Sequence, residues 1–109
     1  MRRWRVVVLP DAELDVVGHV AYLEEQRAGL GLERFATAVL ERVAILRTDA
    51  YWPVQQHPEL QRRGIRLLPM DRPWDKYGIF FTITDDDEEV HVRAVLHLVR
   101  HYVRFLLDR

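Results

Sequence analysis

Hydrophobic and polar positions alternate along the C-terminal half of the chain in segments typical of β-strands. "KYGIFFTIT" places Tyr77, Ile79, Phe81 and Ile83 on one face and predicts the clearest strand. "VHVRAVL" alternates in the same way, after an acidic segment "DDDEE" that is typical of a solvated hairpin turn and lacks the ligand spacing of a calcium loop. Two shorter runs, "RVVVLP" and "GIRLLPM", predict the remaining strands.

Between the first two of these strands the apolar spacing lengthens to three or four residues, which predicts helices. "PDAELDVVGHVAYLEEQ" forms the first helix, where Gly18 indicates either a close helix contact or a tolerated glycine. The second helix runs from Leu32 to Arg47. The residues predicted on its apolar face are Phe35, Ala36, Val39, Leu40, Val43 and Leu46. "RAGLG" joins the two helices into an αα-hairpin.

The element order β-α-α-β-β-β predicts an α+β fold, in which a small antiparallel sheet carries the helical hairpin on one face. Leu98 and the residues after it favour a short C-terminal helix, and the length suits one domain over residues 1–109. "TDAYWPVQQHPELQRR" is predicted to be a long connection. The side chains expected to face the helices are Ile79, Phe81, Ile83, Val92 and Leu96, although a two-residue period leaves the choice of face open.

Composition removes several classes of function. The chain contains no Cys and no Ser, which excludes disulfides, thiolate metal sites and a serine nucleophile. Its formal net charge of −1 is not that of a protein that binds nucleic acid through overall charge. No apolar run reaches the length of a membrane span and no signal peptide is visible, so we expect a cytoplasmic protein without membrane contact.

The stretch "EVHVRAVLHLVRHY" concentrates the candidate chemistry. Simple alternation puts Val90, Val92, Ala94 and Leu96 on one face of this last strand. Histidines at positions 91 and 97 would lie about 20 Å apart along a strand, too far to share a zinc ion without a sharp bend. We therefore expect no metal and instead a polar cleft over the sheet, with a structural, backbone-bonded His97 as the alternative. The residues expected to converge there are Arg66, Arg93, His97 and Arg100.

Four segments together resemble the RelE/ParE superfamily of toxins from type II toxin–antitoxin systems: "LPDAELDVVGHVAYL", "GIRLLP", "YGIFFTI" and "AVLHLVRH". Each motif is short, and their order and spacing over about residues 5–101 carry the resemblance. It implies a small twisted sheet with a helical hairpin, no cofactor, a cognate antitoxin as partner, and a toxin–antitoxin hetero-oligomer. The implied target is DNA gyrase for ParE-like toxins and the ribosome with its mRNA for RelE-like and YoeB-like toxins.

Three departures from the ribonuclease branch favour the ParE-like branch. An arginine follows the first tyrosine of the corresponding strand in RelE-like and YoeB-like toxins, whereas Gly78 stands there in "YGIFF". Phe81 replaces the second tyrosine of that strand, and only Lys76 remains of a lysine-rich patch. The resemblance thus implies an inhibitor that binds gyrase and makes no bonds. A ribosome-dependent endoribonuclease and a non-toxic antitoxin-binding member remain as alternatives.

The family resemblance also assigns roles to candidate residues. Arg66 matches a persistent family arginine, and His101–Tyr102 resembles the C-terminal His-Tyr pair of YoeB-like toxins, although seven residues follow it here. The alternative for this pair is that Tyr102 packs a terminal helix and His101 is solvated. The helical hairpin from Asp11 to Arg47, together with an open sheet edge, is predicted to form the main docking surface for the antitoxin.

Overall fold

The computed structural model describes residues 3–26, 32–51, 57–98 and 102–108. Its elements confirm the predicted α+β class and element order. They are β1 (Arg5–Val8), α1 (Pro10–Gln26), α2 (Leu32–Ala44) with a following 3-10 turn (Ile45–Arg47), α3 (Pro58–Arg62), β2 (Arg66–Pro69), β3 (Tyr77–Thr84), β4 (Glu89–His97) and α4 (Tyr102–Leu107).

The short helix α3 corrects the prediction of an uninterrupted connection before β2. Pro58 stands in its first turn, where a missing backbone N–H costs nothing. The His57 side chain precedes it and accepts a hydrogen bond from the Glu59 backbone N–H at 3.2 Å. Leu60 turns inward and is buried. A capping histidine and one apolar residue make a weak pattern, which is why periodicity alone missed this helix.

The four strands form one sheet in the order β1-β4-β3-β2. β2, β3 and β4 form the predicted antiparallel meander, and β1 joins it by pairing in parallel with β4. The sheet is therefore mixed rather than wholly antiparallel. A parallel neighbour requires a crossover connection, and the α1–α2 hairpin supplies it. As a result, β4 lies between β1 and β3 in the interior of the sheet.

A bulge at Arg93 overturns the simple alternation expected along β4. Phe81 pairs with Val92 and Phe80 pairs with Ala94, so Arg93 is the extra residue of β4 between two consecutive positions of β3. An extra residue moves the following side chains to the opposite face. Val92 consequently faces the helical hairpin, whereas Ala94 and Leu96 face the other side. The prediction that Leu96 faces the hairpin is wrong for this reason.

The sheet separates two hydrophobic clusters. The hairpin-side cluster contains Phe35, Val39, Val43, Ile79, Phe81, Val90 and Val92, with Ile83 partly buried against it. This confirms the face predicted for Ile79, Phe81 and Ile83. The cluster on the opposite face is smaller, because among the described helices only α3 and α4 cover that face. Its buried members are Leu60, Leu67, Phe80, Ala94, Leu96 and Leu106.

The structure corrects the prediction for Leu40 and decides between the two alternatives for Gly18. The sequence pattern predicts Leu40 on the apolar face of α2, but its side chain is 66% exposed. It lies one position beyond Val39, at the margin of the buried stripe, where the sheet no longer covers it. Gly18 on α1 has no neighbour within 4 Å of the position that a Cβ would take, so no close contact within the described residues explains this glycine.

Candidate functional site

Arg66, at the start of β2, belongs to an aromatic and acidic cluster beside the β3–β4 turn. Its guanidinium lies 4.8 Å from the centre of the Tyr51 ring, within the range of a cation–π interaction. The Tyr51 hydroxyl donates to Asp85, with oxygen separations of 2.8 and 2.9 Å, and Trp4 meets the Tyr51 ring edge-on. Arg66 is therefore held by this cluster at the end of the sheet where β4 begins.

His97, at the end of β4, belongs to a second aromatic cluster. Its ring packs edge-on against Tyr77, with centroids 5.0 Å apart. His19 and Phe35 meet the same tyrosine from the helical hairpin, both at 4.9 Å. Burial of the Tyr77 hydroxyl, and secondarily the electrostatic effect of the nearby Tyr22, raises the pKa of this group above its ordinary value. Packing against Tyr77 gives His97 a structural contact, while the backbone bond of its ring nitrogen stays a prediction.

Two α1 side chains hold the backbone of β4 where β1 no longer covers it. β1 ends at Val8, which pairs with Val92. Beyond that point the Val95 N–H donates to Asp15 Oδ2 at 2.9 Å, and His19 Nε2 donates to the Val95 carbonyl oxygen at 2.5 Å. The two side chains thus satisfy a strand edge that would otherwise lack partners. Sequence analysis missed them, although a spacing of four residues puts Asp15 and His19 on one helix face.

Arg93 lies on the sheet face opposite the hairpin. Its Nε donates to Thr82 Oγ1 at 2.9 Å, and Thr82 follows Phe81 on β3, so its side chain takes the opposite face. There Arg93 and Thr82 line an open groove of about 490 Å³ together with Arg63 and Asp11. Leu9, Pro10, Ile65 and Leu106 supply its apolar lining. The groove thus combines two guanidinium groups with an apolar surface.

Of the predicted cleft residues, the structure describes Arg66, Arg93 and His97, and it does not bring these three together. Arg66 pairs with Phe81 of β3, and His97 pairs with Tyr77 of the same strand. Phe81 and Tyr77 are four residues apart, which corresponds to about 13 Å along the strand. Arg93 points to the opposite face. The bulge accounts for part of this, since simple alternation would have placed Arg93 and His97 on one side.

The remaining predicted residues lie near the C-terminal helix. Tyr102 begins α4 and packs its ring on Phe80, with centroids 5.4 Å apart, so it serves the smaller cluster as its structural alternative proposed. Arg100 and His101 lie outside the described residues, and their roles stay predictions.

Gly78 stands where the resemblance expects a phosphate-binding arginine, and the structure leaves little space for a side chain there. A Cβ at this position would overlap Leu67 Cδ1 and would lie 2.9 Å from Leu98 Cδ2. Leu67 is itself buried in the smaller cluster. Any larger residue would therefore displace both leucines. The described surroundings of Gly78 are apolar packing rather than a phosphate site.

In the part of the chain that the structure describes, no group of three or more His, Asp or Glu side chains is arranged to hold a metal ion. His91 pairs instead with Glu89, with Nε2 and Oε1 3.0 Å apart, and Arg5 pairs with the other oxygen of that carboxylate. Over the same residues, no helix is long and apolar enough to cross a membrane.

Comparison with known proteins supports the architecture. No protein-family model matches the chain, and no curated protein matches it. Among solved structures, the chain is similar to one in the chromosomal ParDE toxin–antitoxin system of P. aeruginosa, with a TM-score of 0.70, 13% identity, and coverage of 88% of this chain and 97% of that one. It is also similar to a chain of the RelBE2 toxin–antitoxin complex of Mycobacterium tuberculosis, with a TM-score of 0.59, 19% identity, and coverage of 89% and 93%.

These likenesses span nearly the whole of each matched chain, so they concern the complete arrangement of sheet and helices. At 13% and 19% identity they establish the fold and leave individual site residues untested. The fold implied by the RelE/ParE resemblance in the sequence is thereby confirmed. The chain has the fold found in the ParDE and RelBE2 toxin–antitoxin complexes.

Proposed function

We propose that the protein is the toxin of a type II toxin–antitoxin module and is neutralised in the cytoplasm by a cognate antitoxin. Two independent observations support this proposal. The sequence motifs occur in the order typical of RelE/ParE toxins, and the fold is shared with chains of two toxin–antitoxin complexes. The proposed toxin has no cofactor and forms a hetero-oligomer with its antitoxin.

Within that superfamily we place the protein in the ParE-like branch, as an inhibitor that binds DNA gyrase. The observation that carries this choice is Gly78. Cleavage of RNA without a metal depends on cations held in place around the phosphate before the reaction. The position expected to supply such a cation has no side chain, and Leu67 and Leu98 fill the adjacent space. Inhibition by binding requires no such group.

One observation favours a ribosome-dependent endoribonuclease as the second candidate. The groove on the open sheet face contains Arg63 and Arg93 beside Asp11 and an apolar lining, so it offers two guanidinium groups to a phosphate. Neither Arg66 nor His97 is among the residues that line this groove. A nuclease would therefore need Arg93 as a principal phosphate contact, and its loss would abolish cleavage.

Induced expression in a bacterial host, with purified protein assayed in parallel, separates these functions. Growth arrest with SOS induction, together with loss of gyrase supercoiling by purified protein, supports the ParE-like proposal. Codon-aligned cuts in translated mRNA that vanish in Arg93→Ala would replace it with the nuclease. No arrest by a well-folded protein would indicate a non-toxic antitoxin-binding member. Arg34→Ala serves as a matched control, since Arg34 is an exposed arginine of α2 outside the groove.

A further inference from the structure

Helix α1 presents apolar residues on two opposite faces. Ala12 is buried, and Val16, Val20 and Leu23 pack against the hairpin-side cluster. On the other side, Leu14 is 67% exposed and Val17 is 63% exposed. Ala21 is also exposed and lies four residues beyond Val17, so these side chains form one stripe along the helix. We call Leu14, Val17, Gly18 and Ala21 the outer stripe.

The fold of the described residues gives no account of the outer stripe. Exposed apolar residues are common singly, but a row at helical spacing is typical of a contact surface. Gly18 lies within this row and is exposed, and no described residue comes within 4 Å of the place for a Cβ. A glycine inside a helix costs about 1 kcal/mol relative to alanine. Its absent side chain leaves a notch between Leu14 and Ala21 in which a second helix could approach the α1 backbone closely.

The charged residues of α1 indicate which kind of partner could bind the outer stripe. Pro10–Gln26 contains no Lys or Arg, and its acidic residues are Asp11, Glu13, Asp15, Glu24 and Glu25. His19 and Asp15 are turned toward Val95. Asp11, Glu13 and Glu25 have exposed side chains. The outer stripe is thus apolar, with carboxylates near both ends and no cation on the same helix.

This pattern argues against two other occupants. A second copy of the chain that packed α1 on α1 would bring carboxylates against carboxylates, which is repulsive in either helix direction. A helix that lies on an anionic membrane surface carries Lys and Arg beside its apolar stripe, the opposite of the arrangement here. A helix with its own apolar stripe flanked by Lys or Arg matches both the shape and the sign of charge.

We propose that the outer stripe of α1 is a docking surface for a basic amphipathic helix of a partner protein, which crosses α1 at Gly18. This inference rests on the proposed function for its identification of the partner as the antitoxin. It adds the chemistry of the antitoxin segment, which is cationic, and the α1 side chains that receive it. The prediction that the antitoxin docks on the helical hairpin specifies neither the charge of that segment nor the α1 side chains that it contacts.

The test uses the full chain and two synthetic helical peptides as probes. One carries a leucine stripe flanked by lysines, and the other has each lysine replaced by glutamate. Binding is followed by fluorescence anisotropy at low salt. Several carboxylate–ammonium pairs at a surface should favour the lysine peptide by about tenfold, and this preference should shrink at high salt. Glu25→Lys should reduce the same preference.

Variants of the chain locate the contact. Val17→Lys should weaken lysine-peptide binding about tenfold or more, because it puts a charge in the centre of the stripe. Phe105→Lys is the matched control, since Phe105 is an apolar residue of α4 that is 53% exposed. Thermal unfolding of each variant checks that it is folded. Equal binding of both peptides, no binding of either, or unchanged binding to Val17→Lys would overturn the proposal.

Sedimentation of the chain alone supplies a further decisive result. A dimer that Val17→Lys dissociates would show that a second copy occupies the stripe, which would also overturn the proposal. The proposed function is tested separately by growth arrest of cells that express the chain without a partner. Arrest without peptide binding would refute the docking proposal alone. Peptide binding by a chain that causes no arrest would refute the toxin assignment while the docking surface stands.

Discussion

Helices α1 and α2 pack on the same face of the sheet, yet they distribute apolar residues differently. α2 buries Phe35, Val39 and Val43, and Leu40 is its one large apolar residue that is strongly exposed among those described. Among the α1 residues whose burial is described, only Ala12 is fully buried, and both Leu14 and Val17 are exposed to solvent. Most large apolar side chains of α2 therefore pack in the core, whereas several apolar side chains of α1 are available for another contact.

The inner faces of the two helices also hold the sheet by different means. α2 fills the core with an aromatic ring, Phe35, which meets Trp74 and Tyr77 edge-on at 5.2 and 4.9 Å. α1 instead anchors β4 with the polar pair Asp15 and His19 on Val95. Apolar burial is non-directional, while two hydrogen bonds to one residue fix the position of α1 along the strand.

Phe35→Ala tests the largest difference between the helices. Loss of a fully buried phenylalanine should lower the free energy of unfolding by about 3–5 kcal/mol. Leu40→Ala on the same helix is the control, and a surface change should stay within about 0.5 kcal/mol. Chemical denaturation measures both. Similar losses for the two variants would contradict the division of α2 into a core face and a solvent face.

Asp15→Ala tests the polar anchor of α1. The variant leaves the Val95 N–H without its acceptor, and we expect the free energy of unfolding to fall by about 1–3 kcal/mol. Glu25→Ala, which removes an exposed carboxylate from the same helix, should change it by less than about 0.5 kcal/mol. Hydrogen exchange at Val95 should also accelerate in the first variant. Unchanged exchange would show that Asp15 does not hold this amide.

These differences mark what the sequence could and could not predict. The strands, the two long helices and their order follow from periodicity, because burial of one face imposes a repeat on each element. The bulge at Arg93 could not be read from that repeat, since "VHVRAVL" is compatible with both faces. Leu96 was therefore assigned to the wrong side.

The candidate site was harder to predict than the fold for a related reason. Residue type suggested that the side chains of Arg66, Arg93 and His97 lie close together. Their proximity, however, depends on strand register and on the face of the sheet that each side chain occupies. Register is a property of pairing between distant segments, and nothing local in the sequence encodes it. Asp15 and His19 were missed because their contribution depends on where β1 ends, a feature of the assembled sheet.

Gly18→Ala sharpens the comparison from the outer side of α1. No described residue lies within 4 Å of the added methyl group, so the higher helix propensity of alanine should raise the free energy of unfolding by about 0.5–1 kcal/mol. Gly64→Ala provides the contrast, since Gly64 has a φ of +70° and alanine is strained there. Thermal denaturation should move in opposite directions for the two variants. Destabilisation by Gly18→Ala would reveal a contact at this position.

Leu14→Ala should have the smallest effect. The side chain is 67% exposed, so its truncation should change the free energy of unfolding by less than about 0.5 kcal/mol. Val16→Ala, two residues away on the inner face, should cost more, because Val16 packs against the hairpin-side cluster. A urea titration of both variants gives the comparison. A larger loss for Leu14→Ala would mean that the outer stripe serves the fold after all.

The interior position of β4 has a consequence for synthesis of the protein. β4 pairs with β1 on one side and with β3 on the other, although it follows both of them and α1, α2 and β2 along the chain. A nascent chain that has reached only Thr84 can form the β2–β3 pair, but β1 then has no strand beside it. Closing the sheet requires Arg5 to meet Glu89 across a long loop, a step that is slow compared with hairpin formation. The native surface therefore forms only after β4 has left the ribosome, which delays any activity of the fold until translation has passed that strand.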